Sequence, residues 1–88
     1  MKLRYQFVTN EVAGNMIAVA AGEGMERFSG FVKMDQTGAE IFGLLAEETT
    51  VDEMVATLQK THDDPESEIR ETVEAIVARL RQDDLIED

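Results

Sequence analysis

The chain of 88 residues has no cysteine, no tryptophan, one proline (Pro65), one histidine (His62) and two serines (Ser29 and Ser67). Without cysteine there are no disulfides, thiolate zinc sites or cysteine nucleophiles, and the absence fits a reducing compartment, so a cytoplasmic location is expected. The scarcity of serine and histidine leaves little for catalysis. Nothing in the sequence places Ser29 near His62, no Gly-x-Ser-x-Gly elbow exists, and His62 is expected to be a solvated residue near a helix C-terminus. Long apolar runs are also missing. Met16 to Ala21 falls far short of the roughly 20 residues that span a bilayer. The N-terminal MKLRYQFV is interrupted at once by Gln6, Thr9, Asn10 and Glu11, unlike a signal peptide. A soluble, non-enzymatic chain with no membrane contact is expected.

Basic residues are few as well. Eight Lys and Arg face nineteen Asp and Glu, a net charge of −11. Residues 1–44 contribute −1 and residues 45–88 contribute −10, so the acid lies in the C-terminal half. Such a surface repels phosphate backbones, and nucleic acid is not an expected partner. The acids do not form a metal site: His62-Asp63-Asp64-Pro65-Glu66-Ser67-Glu68 lacks the glycine and alternating spacing of a calcium loop. Gly22-Glu23-Gly24 has too few glycines for a nucleotide loop and reads as a turn. No cofactor is expected. Neither serine sits in the Asp-Ser-Leu context of a phosphopantetheine carrier.

What the sequence does have is a change of period. Tyr5 to Val12 and Met16 to Ala21 suit strands, with Gly14-Asn15 able to supply the positive φ angles of a tight turn. A third strand is expected over Phe28 to Met34. From Asp35 the apolar spacing becomes helical. Asp35 can cap a helix carrying Ile41, Phe42, Leu44 and Leu45, and Thr50-Val51-Asp52-Glu53 matches a reciprocal capping box before Val51, Met54, Val55 and Leu58. Asp64-Pro65-Glu66 predicts a third start, with Asp64 as cap and Pro65 at the first helical position, followed by a stripe of Ile69, Val73, Ile76 and Leu80. The order β-β-β-α-α-α gives 43% hydrophobic content enough to form one small α+β domain over residues 1–88, the three helices covering one face of an antiparallel sheet.

Binding remains, and the third strand is the element of interest. At a sheet edge its unpaired N–H and C=O groups form a template for a visiting strand, without proline to block it and with Gly30 to admit another backbone. The same edge could pair with its twin, so a monomer or weak dimer is expected.

Phe28-x-Gly30-x-Val32-x-Met34-Asp35-x-Thr37-Gly38-x-x-Ile41-Phe42-x-Leu44-Leu45, followed by Thr50-Val51-Asp52-Glu53-Met54-Val55, resembles the PqqD family. The likeness extends to the closing Leu80, Leu85 and Ile86. Departures are Asp35 where asparagine is common, Phe42 for tryptophan, Ala46 for glycine after the Leu-Leu pair, and Asp84 where a glycine is usual. The resemblance implies a winged helix-turn-helix-like domain that recognises the leader region of a ribosomally synthesised precursor peptide and presents it to a modifying enzyme, often a radical SAM maturase. It implies that the leader pairs with Ser29, Gly30, Phe31, Val32, Lys33 and Met34 and packs against the third helix. On that helix two flanks border the stripe. Val77, Arg70 and Arg81 beside Val73 form one, favoured for its apolar patch and two guanidiniums, and Thr72 and Arg79 form the other. Two alternatives stand beside this reading: a docking subunit that never touches a peptide, and a winged-helix DNA-binding protein.

Overall fold

The computed structural model describes residues 1–22 and 30–88. Among them the chain forms β1 (Lys2–Leu3), β2 (Phe7–Val12), β3 (Asn15–Ala20), β4 (Phe31–Met34), α1 (Gln36–Leu44), α2 (Val51–Gln59), α3 (Glu66–Gln82) and β5 (Ile86–Glu87). Strands β2, β3 and β4 make an antiparallel sheet in that order, and the three helices follow it. This is the expected α+β arrangement. Of the expected third strand, Phe28 and Ser29 lie outside the described residues, as do Glu23 and Gly24 of the expected turn, and Gly30 stands just before β4.

The β2–β3 hairpin turns on two residues. Val12 pairs with Asn15, and the intervening Ala13 and Gly14 sit at φ 51° and 82°, both in the left-handed region. The positive angles therefore belong to Ala13 and Gly14 rather than to Gly14 and Asn15, and Asn15 opens β3. The sheet alternates as its sequence does. Ala18, Ala20 and Val32 are buried toward the helices, while Val8, Val19 and Phe31 form an exposed row across the other face. Phe7 meets Phe42 of α1 edge to face, ring centroids 5.0 Å apart.

Each helix begins where its cap allows. Asp35 accepts from the Gly38 N–H at 2.8 Å, so β4 passes into α1 through one residue. Gly38 has to be glycine. A Cβ there would stand 2.9 Å from the Met34 Cβ and 3.7 Å from the Ile76 Cδ1, at the point where β4, α1 and α3 meet. At α2 the Thr50 hydroxyl accepts from the Glu53 N–H at 3.1 Å, but the return bond of a capping box is absent. The Glu53 carboxylate accepts instead from the Thr49 hydroxyl at 3.2 Å, a neighbour the box pattern does not weigh. At α3 the cap is Pro65, not Asp64. Its ψ of 147° is extended, its carbonyl accepts from the Glu68 and Ile69 N–H groups, and no side chain caps the helix. A prolyl carbonyl can do this while Pro65 itself stays outside the helix, so the start lies one residue later than expected.

The core joins Ile41, Phe42 and Leu45 of α1, Met54, Val55 and Leu58 of α2, and Ile69, Val73, Val77 and Leu80 of α3. Burial of such side chains stabilises by about 1.5–3 kcal/mol each. Within α3 the stripe is rotated from the expected one: Val77 is 5% exposed, while Ile76 is only half-buried, packed at the margin by Gly38. The chain ends close the structure. The Leu85 N–H donates to Leu80 O at 2.9 Å and the Asp84 N–H to Arg81 O at 3.0 Å, a Schellman motif with Asp84 at φ 58° where glycine is favoured. Beyond it β5 pairs with β1, Leu3 opposite Ile86, an antiparallel pair unforeseen in the sequence. No helix among the described residues is long and apolar enough to cross a membrane.

Candidate functional site

β4 is an edge strand. It pairs with β3 on one side, Met34 opposite Met16 and Val32 opposite Ala18, and no strand lies on its other side among the described residues. In an antiparallel ladder, residues alternate between pointing their N–H and C=O groups at the partner and away from it. The two-residue turn sets the phase. Val12 and Asn15 are a hydrogen-bonded pair, as is the other end of the ladder, where the Ala21 N–H donates to Gln6 O at 2.8 Å. Counting across, Val32 and Met34 bond to β3 and the peptide groups of Phe31 and Lys33 point outward. One of those outward groups is seen in use. The Lys33 carbonyl accepts from Arg79 Nη1 of α3 at 3.3 Å.

That bond also shows which flank of α3 faces the edge. Thr72, Ile76 and Arg79 share this flank by helical spacing, and Ile76 reaches Gly38, whose other neighbour is the Met34 side chain at the end of β4. Arg70 lies on the opposite flank, where it bridges to Asp52 of α2 at 2.7 Å and to Glu66 at 3.1 Å. These bonds, the one to Asp52 first, raise its pKa above the ordinary arginine value. Arg81 is engaged with Asp88 at the C-terminus, Nη2 to Oδ1 at 2.9 Å, and its pKa is raised by that bond. Val73 and Val77 are core residues. The structure thus gathers Phe31, Val32, Lys33 and Met34 on one edge strand with Gly30 beside it, but places Arg70 and Arg81 elsewhere and Val73 and Val77 beneath. Ser29 lies outside the described residues.

Past the end of β4, a cleft of about 260 Å³ opens between the start of α1 and α3, bordered by Asp35, Thr37, His62, Glu68, Ile69 and Thr72. His62 is not simply solvated. It is half-buried and its Nε2 lies 2.7 Å from Glu40 Oε2, a tie between the loop after α2 and helix α1. Ser67 is exposed in the first turn of α3. Among the described residues, no three His, Cys, Asp or Glu side chains gather in a way that would hold a metal. The arrangement can offer an extended chain backbone partners along β4, an apolar contact at Ile76 and Met34, and a guanidinium at Arg79.

The family profile for PqqD, coenzyme PQQ synthesis protein D, matches residues 21–86, which include all of β4 and the three helices and end at the first residue of β5. The chain belongs to the PqqD family. A solved structure similar to this PqqD-family chain is that of TbiB1 in complex with the TbiA(beta) leader peptide, with 17% sequence identity and a TM-score of 0.73. The likeness covers 99% of this chain and 95% of that one, so the two share a fold over nearly their whole lengths. No curated protein matches the chain. The two α3 residues beside this edge are Ile76, expected in the core stripe, and Arg79, expected on the flank not favoured. The signal for both was the helical wheel, on which they lie together, and what was missing was the direction of β4.

Proposed function

We propose that this protein binds the leader region of a ribosomally synthesised precursor peptide by adding it as a strand to β4, and presents it to a modifying enzyme such as a radical SAM maturase. The observation that carries the reading is the outward edge of Phe31 and Lys33 running beside α3. Family membership supports it, and so does the shared fold with a protein solved in complex with a leader peptide. The protein acts in this reading by binding alone. Each backbone hydrogen bond along the edge contributes about 0.5–1.5 kcal/mol, enough to hold an extended chain of many sequences, with selectivity left to the groove. The Lys33 carbonyl has two lone pairs and can serve Arg79 and a peptide N–H together.

The test uses Lys33→Pro. The Lys33 N–H points away from β3, so proline removes an outward donor without breaking the existing ladder. The precursor peptide encoded beside the gene is titrated by calorimetry and by amide shifts. Lys33→Pro should weaken binding about tenfold or more with the circular dichroism unchanged, while Lys33→Ala binds within a few fold of the original. Equal affinity of Lys33→Pro and the parent would defeat strand addition. Absence of any peptide shift along Gly30 to Met34 would favour the docking-subunit alternative.

A further inference from the structure

The arginines of the described residues are not used alike. Arg4 holds Asp84, Arg70 holds Asp52 and Glu66, and Arg81 holds Asp88. Arg79 holds only a main-chain carbonyl, that of Lys33, and no carboxylate of the described residues pairs with it or with the Lys33 ammonium. Among the described residues Lys2 and Lys60 likewise have no ion pair, but they stand on separate elements, in β1 and at the end of α2, whereas Arg79 and Lys33 are joined at one strand edge. The guanidinium is moreover already oriented. Its bond to the Lys33 carbonyl holds it in the line an added strand would follow, so a partner carboxylate would meet a donor fork with part of its freedom already removed.

We infer that Arg79 reads a carboxylate in the incoming peptide, two residues C-terminal to an apolar side chain seated on Ile76 and Met34. This rests on the strand-addition reading and specifies its substrate class. The spacing follows from the fold. Side chains of an added strand that point toward α3 are every second residue. Ile76 meets the Met34 and Gly38 end of the edge, and Arg79 lies one helical turn further, beside Lys33. An antiparallel strand passes Met34 before Val32, so its apolar residue comes first and its acid second. The ligand is then an extended segment of the form apolar-x-acid. Its acid complements the Arg79 guanidinium, with which no carboxylate of the described residues pairs.

Short random peptides displayed on phage and selected against the full chain test this without knowledge of the natural precursor. The parent chain should enrich apolar-x-Asp/Glu segments. Arg79→Glu should enrich Lys or Arg at the acidic position with the apolar position unchanged. For a synthetic peptide from the parent selection, Arg79→Gln should bind about tenfold more weakly and with less dependence on sodium chloride, while Lys60→Gln binds as the parent does. Enriched segments without an acid, or the same acid enriched by Arg79→Glu, would overturn the inference while leaving strand addition standing. Failure of the parent chain to enrich any segment that shifts the Phe31 and Lys33 amides would overturn both.

Discussion

At Ala13 the backbone occupies a conformation that alanine favours poorly. An L-residue at positive φ costs about 1–2 kcal/mol unless it is asparagine, aspartate or glycine, and a two-residue hairpin with both angles positive prefers Asn-Gly. Here the pair is Ala13-Gly14 at φ 51° and 82°. Ala13→Asn should therefore stabilise by about 0.5–1 kcal/mol and raise the melting temperature by a few degrees. A thermal melt equal to or below that of the parent chain would show that the turn is not strained. The same residue explains why the turn was only half legible in the sequence. Alanine carries no turn signal, so Gly14-Asn15 drew the positive angles one position too far. Asp84 is the mirror case. It stands where glycine is usual, and its φ of 58° shows that the Schellman motif forms regardless.

The elements were legible where one periodicity or one cap decides them. Asp35 and Thr50 cap as their side chains dictate, and Met54, Val55 and Leu58 are buried at helical spacing. What a single element cannot show is how it is turned against its neighbours. Ile76 and Val77 lie one step apart on the wheel, and only the packing of α3 on α2 and the sheet sends Val77 inward and Ile76 toward β4. The pairing of β1 with β5 was illegible for a related reason: two-residue strands at opposite ends of a chain have no period to read. This closure has a pH dependence. The hydrogen bond from Arg81 holds the Asp88 carboxyl below its ordinary value, so its contribution is present above the usual carboxylate range and is lost as pH falls through the lowered one. Melts of the parent chain and Asp88→Asn should differ slightly at neutral pH, in favour of the parent, and converge on acidification. A difference that persisted at low pH would mean that Asp88 acts through something other than its charge.

For the whole molecule, the family was legible because cap, glycine and apolar positions recur together over most of the chain, although few of them is telling alone. Charge was legible only as a total, and its physical consequence concerns stability. The net charge is −11, with most of the acid in the half that forms α2, α3 and β5. Folding brings these carboxylates together, and the compact state bears their repulsion more than the extended chain does. Against this stand exposed ion pairs such as Arg4–Asp84, which are worth about 0–1 kcal/mol and are themselves screened by salt. Repulsion outweighs them because the acids outnumber the bases by more than two to one. Sodium chloride at about 0.1 M shortens the reach of these charges to about 10 Å, which weakens distant repulsion more than contact pairing. The melting temperature should therefore rise between low and moderate salt, while the affinity for an acid-bearing peptide falls over the same range because that attraction is screened too. A melting temperature that fell with salt would show that the ion pairs, and not the net charge, dominate the electrostatics of this fold.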